Sequence, residues 1–325
     1  MNSAVFLCIL SCLFPTLIYG VPTGFAIRQD SGGGASDDTS SSTPSSDVNL
    51  AHNLMTLNVL LTNAFYERAI ETSKEDDDPG TAVIFGMGQI HNNRHLSLLN
   101  AEAINCSFEI DPLFDNTGTK HVLASMAYME SIKFMGATSL LNNASIDLSP
   151  DDQNIIGRIP SDVFQWLSAI EGVASPNVSL NKFPDMTLED FTSLLFKFSP
   201  SCIGDLGLEN LPSHFELGYT SPYTRLHTKF NLIVNGAGCA DLADPNTGPL
   251  FCQVITIDPT LQQAVVSPVI FTNPQEPLCS INSTSLIGPT LLFVTQTADP
   301  LSVDPTQRQM QEGKTCSGPE LFIVQ

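Results

Sequence analysis

The chain has 325 residues, of which 42% are hydrophobic and 14% charged, and this composition is typical of a folded protein with room for two modest domains. Its 13 Lys and Arg residues stand against 34 Asp and Glu residues, which gives a formal charge of −21. Such an acidic chain repels polyanions and anionic lipid headgroups, so the composition argues against nucleic-acid and anionic-membrane partners.

The first 20 residues have the pattern of a secretory signal peptide. Val5 to Tyr19 is almost continuously apolar, which suits the hydrophobic region of a signal and is short for a membrane span. Cleavage after Gly20 or after Ala26 would fit, and an uncleaved anchor is the alternative. No membrane span is expected after signal cleavage, and residues 21–47, rich in Gly, Ser and Thr, are predicted to be a disordered linker.

Cysteine usage and glycosylation motifs favour the same secreted, extracellular or cell-wall location. Once Cys8 and Cys12 leave with the signal, an even set remains that favours three disulfides: Cys106, Cys202, Cys239, Cys252, Cys279 and Cys316. Location along the chain suggests pairing of the first two and of the last four among themselves. Four Asn-x-Ser/Thr motifs predict N-glycosylation at Asn105, Asn143, Asn177 and Asn282.

Apolar residues at helical spacing predict four long helices in the first half of the chain. The first is capped by Asp47 or Asn49 and ends near Ser73, and the second spans 81–104. The third spans Lys120 to Asn142, and the fourth begins at Ser149-Pro150. Pro160 is expected to kink or split the fourth helix, with Ser161-Asp162 capping its second half.

A short amphipathic helix and a set of strands follow. Thr187 to Phe196 is predicted to be helical, with Thr187 and Asp190 spaced as in a capping box. From residue 225 onward, apolar and polar residues alternate in several runs separated by Pro and Gly, as in antiparallel strands. We therefore predict an α+β chain, with a helical domain at 48–215 and a small antiparallel β-rich domain at 216–325.

Five segments in this order are similar to a known family. They are Asn63-Ala-Phe-Tyr66, His91-Asn-Asn-Arg-His95, Glu130-Ser-Ile-Lys-Phe-Met-Gly-Ala137, Phe164-Gln-Trp-Leu167, and Lys182 to Phe191. The chain resembles the secreted fungal ferritin-like proteins of the stress-response and late-sexual-development type, which are related to plant desiccation-related proteins. The resemblance covers roughly 48–215 and implies a ferritin-like four-helix bundle in a stress, development or host-contact setting.

The resemblance also implies a di-iron carboxylate site, built from a Glu on each of two helices and a Glu-x-x-His on the others. Of the implied ligands, only His95 and Glu130 are present. The other positions hold Thr62 (with Val59 at a further position), Asn92, Pro160 and Val163. One carboxylate and one imidazole cannot balance two iron ions, so iron or oxygen chemistry and a resident cofactor are not expected.

A remnant mononuclear site for Zn²⁺ or Cu²⁺ is the more specific alternative, with iron or zinc as the possible but disfavoured cofactor. His91 and His95 lie one helical turn apart, and Glu130 could face them, with Asp162 as a fourth ligand if the proline turns it inward. In the simpler interpretation, which we favour, His91 is exposed and His95 is hydrogen-bonded to Glu130.

Three functional hypotheses follow from the sequence. The first is a secreted, glycosylated, non-catalytic ferritin-like protein with a protein or cell-wall partner. The second is a metal-binding protein or oxidoreductase that uses His91, His95 and Glu130. The third is an adhesion or glycan-binding role for the β-rich domain, with Phe215, Tyr219 and Tyr223 as its aromatic candidates.

Overall fold

A computed structural model describes most of the chain after residue 45, and structural statements below refer to these residues only. They are 46–100, 107–114, 119–144, 146, 148–174, 183–204, 206–208, 211, 217–218, 223–224, 229–231, 233–234, 249–256, 263–268, 270–273, 276–280, 288–309 and 315–324. The predicted signal peptide and all but the last two residues of the predicted linker lie outside this set. Residues 45–325 form one compact unit.

Four long helices and one shorter helix precede the first strand. Their bounds are Ser46–Glu75 (α1), Pro79–Leu98 (α2), Thr119–Asn142 (α3), Pro150–Ala174 (α4) and Leu188–Phe198 (α5). Each lies where the apolar spacing predicts a helix, although α2 ends at Leu98 rather than at residue 104. The turn between α1 and α2 is closed by Asp78, whose side chain accepts a hydrogen bond from the Thr81 backbone N–H, with Pro79 at the first helical position.

The helix α1 lies at the centre of the helical part. It contacts α2, α3, α4 and α5, and every residue from Leu54 to Val59 is buried. The helix α3 is likewise buried on all sides from Val122 to Lys133, because it packs against α1, α4, α5 and strands of the β-rich part. The sequence predicts one buried stripe on α1, and the structure buries the middle of the helix all round.

The proline in the fourth helix does not split it. The helix α4 runs from Pro150 to Ala174 with Pro160 inside it, so the alternative of two helices with a new cap at Ser161-Asp162 is wrong. A proline removes one backbone donor and crowds one carbonyl, and the packing of the flanking turns holds the segment helical. Ile159 and Val163 on either side are fully buried. Asp162 is therefore a side chain on a continuous helix and not a cap.

The capping box predicted at the start of α5 is confirmed. Thr187 accepts a hydrogen bond from the Asp190 backbone N–H at 3.0 Å, and Asp190 accepts one from the Thr187 backbone N–H at 2.9 Å.

Ten strands and a short sixth helix, α6 (Pro305–Gln309), are described beyond α5. The strands are Leu217–Gly218 (β1), Tyr223–Thr224 (β2), Lys229–Asn231 (β3), Ile233–Val234 (β4), Phe251–Thr256 (β5), Val265–Pro268 (β6), Ile270–Asn273 (β7), Glu276–Ser280 (β8), Gly288–Thr295 (β9) and Thr315–Val324 (β10). The predicted domain boundary near residue 216 stays a prediction.

The main sheet has the strand order β2-β10-β9-β5-β6. Its four strands β10, β9, β5 and β6 pair antiparallel, as predicted, whereas the short β2 pairs parallel to β10. The strands β3, β8 and β7 form a three-stranded antiparallel sheet, and β1 pairs with β4. The fold class is therefore α+β.

Buried polar contacts join the helices to the main sheet. Glu320 of β10 accepts a hydrogen bond from the Tyr128 hydroxyl of α3 at 3.0 Å and pairs with Lys197 of α5. The Arg308 guanidinium of α6 lies 2.9 Å from Asp190 at the start of α5. Because each pair joins segments far apart in sequence, together they fix α5 against the strands.

Two cysteines of the described strands are paired. Cys252 of β5 and Cys279 of β8 form a disulfide, which agrees with pairing among the last four cysteines, and Cys202 is also disulfide-bonded. The cysteines at 106 and 239 and the side chain of Cys316 lie outside the described residues. Among the described helices, none combines the length and apolar character that crossing a bilayer requires.

Candidate functional site

The centre of the helical part holds a polar cluster built from all four long helices. Tyr66 comes from α1, Asn92 from α2, Glu130 and Lys133 from α3, and Trp166 from α4. We call these five residues the core network. Residues three or four apart share a helix face, so Glu130 and Lys133 point to the same place. That place is fully buried, because both side chains have no exposed surface.

Lys133 is the hub of the core network. Its ammonium lies 2.8 Å from Glu130 Oε2, donates to Glu130 Oε1 at 3.0 Å, and donates to Asn92 Oδ1 at 3.0 Å. Asn92 in turn donates to the backbone carbonyl of Val59 on α1 at 2.9 Å. The ammonium thus bridges α3 and α2 through side chains that are themselves anchored.

Tyr66 completes the network on the other side of Glu130. Its hydroxyl donates to Glu130 Oε1 at 2.7 Å and accepts a hydrogen bond from the Trp166 indole N–H at 3.0 Å. Burial, followed by the negative charge of Glu130, raises the pKa of the Tyr66 phenol well above its ordinary value. The phenol therefore keeps its proton and serves as a hydrogen-bond donor to the Glu130 carboxylate.

The Glu130–Lys133 pair balances two buried charges. Burial raises the pKa of Glu130, but the Lys133 charge, His91 and the hydrogen bonds from Lys133 and Tyr66 together outweigh burial, so the pKa of the carboxyl lies below its usual value. Burial lowers the pKa of Lys133, while Glu130 opposes that shift. In the low-dielectric interior each charge requires the other, because an unpaired buried charge is very unfavourable.

The two histidines and Asp162 form a second cluster next to the core network. One ligand atom from each of His91, His95 and Asp162 lies within 4.8 Å of the other two. His95 Nε2 is 3.3 Å from Asp162 Oδ2, and the His91 and His95 rings are 4.9 Å apart. His95 is fully buried, whereas the Asp162 side chain is 39% exposed, so this cluster reaches the surface.

Both imidazoles are held in the neutral form. Burial, with the Lys133 charge acting in the same direction, lowers the pKa of His91 to about 4. Burial also lowers the pKa of His95, against the opposing hydrogen bond with Asp162. The hydrogen bond from His95 lowers the pKa of Asp162, which keeps that side chain a carboxylate.

The predicted site residues therefore separate into two groups. His91 and His95 lie together, as predicted, and they meet Asp162, while Glu130 bonds to Tyr66 and Lys133. The predicted hydrogen bond of His95 to Glu130 is replaced by the contact with Asp162, because Lys133 and Tyr66 engage Glu130. The proposed metal ligation stays a prediction.

At the positions where the resemblance implies further metal ligands, the polar side chains present are hydrogen-bonded within the protein. The Thr62 hydroxyl donates to the Asn58 carbonyl of its own helix at 2.9 Å, and Asn92 bonds to Lys133 and Val59. Val163 is fully buried. Lys133, Tyr66 and Trp166 were not predicted as site residues; the available signal was a Glu and a Lys three apart within an otherwise apolar helix face.

The remaining predicted sites are only partly described. Asn143 lies directly after the end of α3 and is half-buried, and its glycosylation stays a prediction. Asn105, Asn177 and Asn282, together with the aromatic candidates Phe215 and Tyr219 and the side chain of Tyr223, lie outside the described residues.

No family model matches the chain, and no curated protein matches it.

Proposed function

We propose that the chain is a non-catalytic, ferritin-like protein in which a lysine ammonium has taken the place of the metal ions. The observation that carries this proposal is the position of Lys133, fully buried and in contact with Glu130 and Asn92 at the centre of the four long helices. A binuclear carboxylate centre would need its cations at such a place. Here the protein supplies the cation itself.

Charge balance supports the replacement. Two iron ions require several carboxylates, and Glu130 is the one carboxylate in the core network. That carboxylate is already neutralised by Lys133, and the Tyr66 hydroxyl takes another of its acceptor sites. A metal ion entering here would have to displace a buried ammonium, which would then be left without a counter-charge.

The same resemblance and the cysteine usage support an extracellular role. The disulfide between Cys252 and Cys279 and the bonded state of Cys202 suit an oxidising compartment. The protein would act outside the cell or at the cell wall, in stress, development or host contact, through a protein or cell-wall partner. Its scaffold would present a surface and perform no reaction in its core.

Iron oxidation tests the proposal directly. Purified protein is mixed with Fe²⁺ in air, and oxygen consumption is recorded against buffer and against an authentic ferritin as positive control. We expect the rate to equal that of buffer. Saturable oxidation that is lost in Glu130→Gln and retained in His91→Ala would overturn the proposal, because that pattern requires a working centre at Glu130.

The oxidoreductase and the glycan-binding hypotheses remain as alternatives with separate tests. The oxidoreductase alternative requires His91 and His95 to hold a redox metal that turns over, so activity lost in both histidine variants would favour it. The glycan-binding alternative depends on Phe215, Tyr219 and Tyr223, and a glycan-array screen without hits would count against it.

A further inference from the structure

The edge of the helical part carries three metal-binding groups that the core network does not use. His91 and His95 lie one turn apart on α2, and Asp162 faces them from α4. The set consists of two imidazoles and one carboxylate. Of these three residues, only His95 stands at a ligand position that the family resemblance implies. The set of His91, His95 and Asp162 therefore differs from the implied di-iron ligands.

The spacing of the donor atoms suits one small cation. Metal–nitrogen and metal–oxygen bonds of about 2.0–2.2 Å in a tetrahedral site place neighbouring donor atoms roughly 3.3–3.5 Å apart. His95 Nε2 and Asp162 Oδ2 already lie 3.3 Å apart. The widest separation in the group is within 4.8 Å, so a small rotation of the half-exposed Asp162 or of His91 closes the site.

The imidazoles also have unused bonding capacity. In the described part of the chain, His91 Nδ1 and His95 Nδ1 are buried and have no hydrogen-bond partner. His91 makes ring contacts with His95 and with Trp166, which orient the imidazole. Buried polar atoms without partners are rare in folded proteins, and an ion bound by His91 Nδ1 would account for that atom. His95 would bind the same ion through Nε2, which faces Asp162.

The charges favour a cation at this cluster and not deeper in the core. The charges of Glu130 and Lys133 balance each other, and the Lys133 ammonium repels a second cation from Glu130. Asp162 keeps a negative charge at a partly exposed position, where an ion can enter from solvent. Two nitrogen ligands select against Ca²⁺ and Mg²⁺, which require oxygen ligands, and suit Zn²⁺, Cu²⁺ or Ni²⁺.

We propose that His91, His95 and Asp162 bind one divalent transition-metal ion of the zinc and copper class, beside the Glu130–Lys133 pair. Three protein ligands leave a fourth position for water or for a donor group of a partner molecule. The site is mononuclear and does not depend on whether the core network is catalytically inactive.

Cobalt provides a sensitive probe of this site. The purified full chain is stripped with a chelator and titrated with Co²⁺, and the visible absorption of the ion is followed, with Zn²⁺ competition giving the zinc affinity. We expect one equivalent bound, in a tetrahedral or five-coordinate spectrum, and displacement by Zn²⁺ but not by millimolar Mg²⁺. Binding of no ion, or binding of several equivalents with an octahedral aqueous spectrum, would overturn the proposal.

Matched variants locate the ion. His91→Ala and Asp162→Asn are expected to weaken Co²⁺ and Zn²⁺ binding at least about 100-fold, because loss of a direct ligand should cost no less than loss of a group that only orients one. His52→Ala is the control, since His52 lies 3.9 Å from Asp152 in a second His–Asp pair that lacks another histidine. Equal affinity in wild type, His91→Ala and Asp162→Asn, with circular dichroism showing all three folded, would overturn the assignment.

Discussion

Two of the buried ion pairs among the described residues differ in their surroundings. Glu130–Lys133 lies among the four long helices, where both partners have no exposed surface and come from one helix. Asp190–Arg308 joins α5 to α6, with side chains 2% and 4% exposed. Asp190 also accepts a hydrogen bond from the Thr187 backbone, and Arg308 donates to the carbonyls of Asp185, Ser302 and Val303.

The difference shows what each pair does. Arg308 donates to three carbonyls and links segments distant in sequence, so its pair serves to join α5 to the segment between β9 and β10. Glu130 and Lys133 both belong to α3, and their contacts with Tyr66 of α1 and Asn92 of α2 place a balanced pair of charges at the centre of the helices. Under the proposed function, the Glu130–Lys133 pair stands in place of a metal ion. The Asp190–Arg308 pair instead joins segments that are distant in sequence. The predictions below test this contrast, from the largest expected effect to the smallest.

Removing the core cation is expected to have the largest effect. Lys133→Met leaves Glu130 buried without a counter-charge, which should lower the free energy of unfolding by about 3–5 kcal/mol. The double variant Lys133→Met with Glu130→Gln removes both charges and should recover a large part of that loss. Urea denaturation followed by circular dichroism measures both. A loss below about 1 kcal/mol in Lys133→Met would show that the pair does not stabilise the core.

Breaking the second pair should cost less. Arg308→Met leaves Asp190 with the hydrogen bond from the Thr187 backbone, so its carboxylate keeps a partner and we expect a loss of about 2–3 kcal/mol. Glu71→Gln is the surface control, since the exposed Arg68–Glu71 pair should contribute no more than about 0.5 kcal/mol. The same urea measurement compares them. An Arg308→Met loss larger than that of Lys133→Met would reverse the contrast.

Acid should destabilise the folded chain through the histidines. The folded-state pKa of His91 is lowered to about 4, and that of His95 is lowered as well, whereas an unfolded chain has the ordinary value of 6.5. The contribution of the two neutral histidines to the free energy of unfolding is therefore complete above about pH 6.5. It is lost as the pH falls toward 4, because the unfolded chain binds the protons first. Burial is the main cause of the lowered His91 pKa; of the charged and titratable neighbours, Lys133 and His95 lower the pKa further, whereas Glu130 and Asp162 raise it.

The free energy of unfolding, measured with a chelator present, should fall by on the order of 2 kcal/mol between pH 7 and pH 4.5 because of these two histidines. The slope should be shallower in His91→Gln, which cannot gain a proton. An identical pH dependence in His91→Gln and wild type would contradict the assigned cause.

Two nearby glycines on α2 provide the smallest and best-matched test. A Cβ atom at Gly88 would lie 2.4 Å from the Tyr66 ring, whose hydroxyl is held by Glu130 and Trp166, while a Cβ at Gly86 meets nothing within 4 Å. We expect Gly88→Ala to lower the free energy of unfolding by about 1–2 kcal/mol, because the added methyl group crowds the Tyr66 ring. Gly86→Ala should raise the free energy of unfolding by up to about 1 kcal/mol through helix propensity. Thermal unfolding measures both, and equal effects would mean that Tyr66 moves freely.

The sequence predicts the elements of this fold better than their contacts. Helix starts such as Pro150 and the Thr187–Asp190 capping box are local features, so they can be derived from neighbouring residues. The parallel pairing of β2 with β10 joins segments about a hundred residues apart, and no local pattern contains it. The continuity of α4 through Pro160 likewise depends on packing that a single segment does not reveal.

The sequence predicts the local part of the candidate site and not the part that depends on contacts between helices. The His91–His95 spacing places both rings on one face of α2 by helical geometry alone. A lysine in a helix ordinarily faces solvent, and Lys133 is buried only because Asn92 of α2 and Glu130 converge on it after the four helices assemble. Asp162 joins the histidines for the related reason that α4 stays continuous.

Anomalous diffraction from crystals of the full chain soaked in Fe²⁺ and, separately, in Zn²⁺ is the most direct test of the central claim that Lys133 replaces a metal ion. We predict no anomalous peak within coordination distance of Glu130 in either soak, with the Lys133 ammonium still between Glu130 and Asn92. A peak bonded to Glu130, with Lys133 displaced from it, would contradict this account of the core.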